Sequence, residues 1–119
     1  MNPKKRLALV IDDDEAMREL LSVLLESLDF EVDMFADGIH AIELTKAYDV
    51  IVLDMKMPVF DGARLADYWR LTVPDVLRRV IVLSGYSRTT TPHAEAYAVL
   101  SKPINHYEFI KIVEECANQ

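Results

Sequence analysis

The run Leu7-Ala8-Leu9-Val10-Ile11-Asp12-Asp13-Asp14 decides how the rest of the chain is read. An apolar stretch without polar alternation suits a strand buried on both faces. Three acids follow at once. Met17, Leu20, Leu21, Leu24 and Leu28 then recur at i, i+3, i+4, i+7 and i+11, which predicts an amphipathic helix over residues 15–28. A buried strand thus passes through an acidic turn into a helix.

The same grammar repeats along the chain. Residues 50–53 and 80–83 are further Val/Ile/Leu runs of strand length, residues 31–35 read as a weaker edge strand, and residues 98–100 as a short fifth. Between them, residues 38–47 are read as a helix with a weak stripe (Ala41, Ile42). Gly62, Leu65, Ala66 and Trp69 give a third helical stripe, and Phe109, Ile112, Val113 and Cys116 a last one. Strands alternating with helices imply right-handed crossovers and a parallel sheet covered on both faces. The expected fold is α/β: a flavodoxin-like, doubly wound, five-stranded parallel sheet of order 2-1-3-4-5 in three layers. No repeat, linker or low-complexity stretch interrupts it, so residues 1–119 read as a single domain, packed from about Lys5 to about Ala117.

Composition narrows the function. The chain carries 20 Asp+Glu against 13 Lys+Arg, a formal net charge of −7. That balance argues against a nucleic-acid or membrane-surface binder, either of which needs a basic face. No apolar run approaches the length of a transmembrane helix or signal peptide. The one cysteine, Cys116, excludes a disulfide within the chain and a Cys-based zinc site, and suits a reducing, cytoplasmic setting. No glycine-rich phosphate loop exists among Gly38, Gly62 and Gly85. His40, His93 and His106 have no metal-binding spacing. The acid is concentrated: between Asp12 and Glu31 the only basic residue is Arg18.

In a doubly wound sheet, ligands bind beyond the carboxyl ends of the strands. Strand one ends in Asp12-Asp13-Asp14, strand three in Asp54, strand four in Ser84-Gly85 and strand five in Ser101-Lys102-Pro103. One Asp after strand one is explained as a helix cap; three exceed that need. Strands one and three are neighbours in this order, so their carboxylates converge and repel. A hard divalent cation relieves the repulsion, and Mg²⁺ (or Mn²⁺ in its place) also accepts phosphate oxygens. An ionised carboxylate can attack phosphorus to give an acyl phosphate. Lys102 then supplies a point charge and Ser84 a hydroxyl to the phosphoryl oxygens. The constellation reads as a Mg²⁺-dependent phospho-aspartate site.

Asp12-Asp13, the segment Val52-Leu53-Asp54-Met55-Lys56-Met57-Pro58 with Asp61-Gly62, Ser84-Gly85 and Lys102-Pro103 together resemble the receiver domain of two-component response regulators. The resemblance implies a phosphoprotein of a phosphorelay. Asp54 would be the phosphoacceptor, loaded from a phosphohistidine on a sensor histidine kinase or histidine phosphotransfer protein. Asp13 would be a direct Mg²⁺ ligand, Asp12 a ligand through water, and the backbone carbonyl of Lys56 a further one. Ser84 matches the switch hydroxyl and Lys102 the phosphoryl-contacting lysine, whose bond to Pro103 is commonly cis in this family. The Lys56 and Tyr86 side chains would flank the path of the hydrolytic water and slow autodephosphorylation.

Two departures stand out. Val99 occupies the switch position where receivers usually carry an aromatic, with Tyr97 the nearby candidate to replace it. The interval from Ser84 to Lys102 is short, so the fourth helix is expected to be short or irregular. It holds Ser87-Arg88-Thr89-Thr90-Thr91-Pro92, with Thr91 a possible cap. That region borders the face of fourth helix, fifth strand and last helix, through which the family dimerises or docks fused or separate output domains. Two rivals remain. A Mg²⁺-dependent phosphatase would need an acid where Lys56 stands, and a receiver-like interaction module would work without phosphorylation.

Overall fold

The computed structural model describes residues 5–44, 46–55, 62–85 and 95–119. Strands β1 (Arg6–Ile11), β2 (Phe30–Phe35), β3 (Val50–Asp54), β4 (Val80–Ser84) and β5 (Ala98–Ser101) form one sheet. All of its pairings are parallel, in the order β2-β1-β3-β4-β5. Among the described residues the helices are α1 (Glu15–Glu26), α2 (Gly62–Thr72) and α3 (His106–Ala117), with 3₁₀ turns at Ile39–Ala41 and Pro74–Arg79.

The central strands carry unbroken apolar runs, Leu7 to Ile11, Val50 to Leu53 and Val80 to Leu83, because both of their faces are covered. Alternate residues part to opposite sides. Ala8, Val10, Val50, Val52, Ile81 and Leu83 join α1 and α3 through Leu21, Leu25, Phe109 and Val113. Leu9, Ile11, Ile51, Leu53, Val80 and Val82 join Leu65, Ala66 and Trp69 of α2. Each fully buried Val, Leu, Ile or Phe among them contributes about 1.5–3 kcal/mol of transfer free energy.

Helix α1 starts where Asp14 accepts from the N–H groups of Ala16 and Met17. It ends two residues earlier than the periodicity suggests. Leu28 and Asp29 donate three residues back instead of four, and Asp29 takes a φ of 68°. Aspartate tolerates that left-handed conformation better than most residues.

The expected helix over residues 38–47 is not formed. Of the described part, only Ile39–Ala41 makes a 3₁₀ turn, pinned by Asp37, whose carboxylate accepts from the His40 N–H at 3.1 Å. A side chain that bonds the backbone locally competes with helix propagation. Ala41, Ile42 and Leu44 enter the α2-side core, but they do not sustain a helical stripe. The 3₁₀ turn at Pro74–Arg79, which the sequence reading did not anticipate, opens on Pro74, whose fixed φ suits the first position of a helical turn. The segment of the expected fourth helix, including Thr91, lies outside the described residues up to position 94.

Candidate phosphoacceptor site

Strand register builds the site. Ile11 pairs with Leu53, so Asp12 and Asp54, each one residue further, stand level at the strand ends. Asp54 pairs with Leu83 and Ser84 with Ser101, so Ser84 and then Lys102 rise beside them like steps. The Lys102 N–H donates to the Ser84 carbonyl at 2.9 Å, and the Lys102–Pro103 peptide is cis, as the resemblance implies.

Asp12 and Asp54 are buried and Asp13 is exposed. One carboxylate oxygen from each lies within 4.8 Å of the others. Lys102 reaches over β4 and donates through Nζ to Asp54 Oδ1 at 3.1 Å. Asp12 Oδ1 accepts from the Asp14 N–H at 2.9 Å, while its buried Oδ2 has no hydrogen-bond partner. Burial pushes the Asp12 carboxyl up to about 6; Asp54 and Asp13 add to the rise, and the Asp14 N–H and Lys102 oppose it. A desolvated carboxylate with an orphaned oxygen, in a cluster with two more carboxylates, is a donor set fitted to a hard divalent cation. Asp12, Asp13 and Asp54 could therefore hold one.

Behind the acids α2 and the end of β3 approach closely. A Cβ on Gly62 would lie 2.4 Å from the Asp54 carbonyl oxygen, so α2 sits directly against the end of β3 only because residue 62 is glycine. Two contacts to the acidic turn carried no sequence signal. The Asp12 N–H donates to the Phe35 carbonyl at 3.1 Å, and Arg18 donates to the Asp12 carbonyl at 2.8 Å.

Val99 is half-buried against the α2-side core beside Val82 and Ala96. Tyr97 does not replace the missing aromatic there. It packs on the opposite side of the sheet with the α1/α3 cluster, where burial and Glu115 raise its phenol pKa. Lys56 and Tyr86 lie outside the described residues.

Residues 8–114 match the family model of the response regulator receiver domain. The chain belongs to that family. Among curated relatives, this receiver is 40% identical over 104 residues to a transcriptional regulatory protein of Haemophilus influenzae, the CpxR homolog. The match covers 86% of this chain and 46% of that protein. The chain spans less than half the length of the first curated relatives it matches. The receiver domain of a sensor histidine kinase from Pseudomonas aeruginosa shares its fold, with a TM-score of 0.86 at 23% identity over 98% of this chain and all of that one. The response regulator TrrA of Thermotoga maritima, solved in complex with Mg²⁺–BeF, gives 0.83 at 29% identity over 93% and 98% of the two chains. No described helix of this receiver is long and apolar enough to cross a membrane.

Proposed function

We infer that Asp54 of this receiver accepts a phosphoryl group from a phosphohistidine. A carboxylate oxygen of Asp54 attacks phosphorus, the P–N bond breaks, and its electron pair returns to the imidazole, which takes up a proton. Asp12, Asp13 and Asp54 would hold Mg²⁺, together with the Lys56 backbone carbonyl, a member drawn from sequence alone. When bound, the cation neutralises the crowded carboxylates and the incoming phosphoryl oxygens. Lys102 leaves its ion pair with Asp54 to meet the new phosphoryl oxygens, and the Ser84 hydroxyl donates to another. The observation that carries this reading is the 4.8 Å convergence of three acids beside a lysine already 3.1 Å from one of them.

The partners proposed are a sensor histidine kinase or phosphotransfer protein upstream, and an output domain or separate target downstream, in the cytoplasm. Lys56 and Tyr86 are proposed to slow hydrolysis; substituting Tyr86 with a small residue should then speed loss of the acyl phosphate. Incubation with Mg²⁺ and acetyl phosphate, followed by intact-mass measurement, tests the main reading. One phosphoryl group should appear on the parent and none on Asp54→Ala. Val99, where the family carries an aromatic, favours a second reading: an interaction module that works unphosphorylated and would gain no mass.

A further inference from the structure

Arg18 stands where helix physics gives little reason for a cation. It lies one turn into α1, near the positive end of the helix dipole, which disfavours positive charge. Helical side chains lean toward the N-terminus, and this one folds back over the β1–α1 turn. There its Nη1 donates to the Asp12 carbonyl oxygen at 2.8 Å. That carbonyl belongs to the peptide unit joining Asp12 to Asp13.

The two flanking units are also tied. The Asp12 N–H donates to the Phe35 carbonyl at 3.1 Å, and the Asp14 N–H donates to Asp12 Oδ1 at 2.9 Å. Consecutive peptide units through the acidic turn are thus each fixed by a hydrogen bond, the middle one by Arg18. Asp13 depends on that fixation most. Its side chain is exposed and no described residue bonds its carboxylate, so its direction is set by the backbone that carries it.

We propose that Arg18 is a positioning residue for divalent-cation binding. It locks the Asp12–Asp13 peptide so that the Asp12 and Asp13 carboxylates converge with Asp54. The inference rests on the reading of this cluster as a Mg²⁺ site.

Charge and position predict opposite signs, which makes the inference testable. If Arg18 acted only as a nearby cation, its removal would tighten Mg²⁺ binding, because one repulsive charge is gone. If it positions the ligands, removal weakens binding by about tenfold, the scale seen when supports of metal ligands are lost. Calorimetric titration of Mg²⁺ into the parent, Arg18→Met and Arg18→Lys reads the sign directly. Arg18→Met should bind about tenfold more weakly, and Arg18→Lys, which keeps the charge and one donor nitrogen, should regain part of the loss. Urea unfolding in chelator confirms that the variants are folded at the titration temperature. A purely structural role would lower the unfolding midpoint and leave the affinity of the folded protein unchanged. Unchanged or tighter binding in Arg18→Met overturns the proposal while leaving the Mg²⁺ site standing. A parent that binds no Mg²⁺ overturns both.

Discussion

Lys102 and Asp54 are separated by 48 residues and by the whole width of β4, yet the lysine Nζ donates to Asp54 Oδ1 at 3.1 Å. The lysine side chain is about a third exposed, the aspartate almost wholly buried. This pair compensates a carboxylate that shares its crevice with two others.

Removing the lysine therefore has two consequences. Lys102→Ala removes the ammonium bonded to buried Asp54 and should destabilise the metal-free protein by about 1–3 kcal/mol near neutral pH. The deficit should narrow when Mg²⁺ is added, since the ion takes over the compensation. Urea unfolding read by Trp69, the chain's one tryptophan and a fully buried one, measures both. Phosphoryl uptake from acetyl phosphate should slow by about a hundredfold, the usual scale for losing one charge-stabilising donor.

Asp12 makes stability pH-dependent. Its carboxyl is pushed up to about 6 from an ordinary value of 3.8, so the folded protein binds this proton more tightly than the unfolded chain. This contribution is greatest below about pH 4 and is lost as pH rises toward about 6, a change on the order of 2–3 kcal/mol. Asp12→Asn keeps an acceptor for the Asp14 N–H and removes the charge. The variant should be more stable than the parent near pH 8 without metal, should lose that advantage near pH 4, and should bind Mg²⁺ more weakly. Denaturant melts across this range check the sign. For the parent, Mg²⁺ affinity should fall as pH drops through about 6, because the proton and the ion compete for Asp12.

Gly62 is a steric requirement of the site. An alanine Cβ would lie 2.4 Å from the Asp54 carbonyl oxygen and 2.9 Å from the Met55 Cα, both backbone atoms with no side-chain rotation available to relieve them. Alanine's helix preference, about 1 kcal/mol over glycine, is the smaller effect. Gly62→Ala should cost about 1–3 kcal/mol net and displace the end of β3. A lowered urea midpoint together with slower phosphorylation supports this; a stabilised variant contradicts it.

The two-sided burial of the sheet made most of the fold legible. The runs at residues 50–53 and 80–83 each reappear as a strand extended by one residue, Val50–Asp54 and Val80–Ser84. The acids at the strand ends were legible for the same reason: once the strand order is known, Asp12 and Asp54 must lie side by side. Residues 38–47 failed as a helix because a short local bond, Asp37 to the His40 N–H, outweighs a weak apolar stripe. Tyr97 was misplaced because nearness in sequence does not fix a strand face; Val99 and Tyr97 pack on opposite sides of the sheet. The Arg18 and Phe35 contacts to Asp12 were invisible, because hydrogen bonds through backbone carbonyls leave no pattern of residue types. Arg18 showed only as the lone cation in an acidic stretch.

One carboxylate among the three, that of Asp54, is proposed to carry the phosphoryl group. Borohydride reduction of the acetyl-phosphate-treated, Mg²⁺-loaded protein converts an acyl-phosphorylated aspartate to homoserine, which peptide sequencing by mass spectrometry locates. Homoserine is expected at position 54 alone, abolished by chelator and strongly reduced in Lys102→Ala. Homoserine at Asp12 or Asp13, or none at any position under conditions that phosphorylate another receiver in parallel, would contradict it.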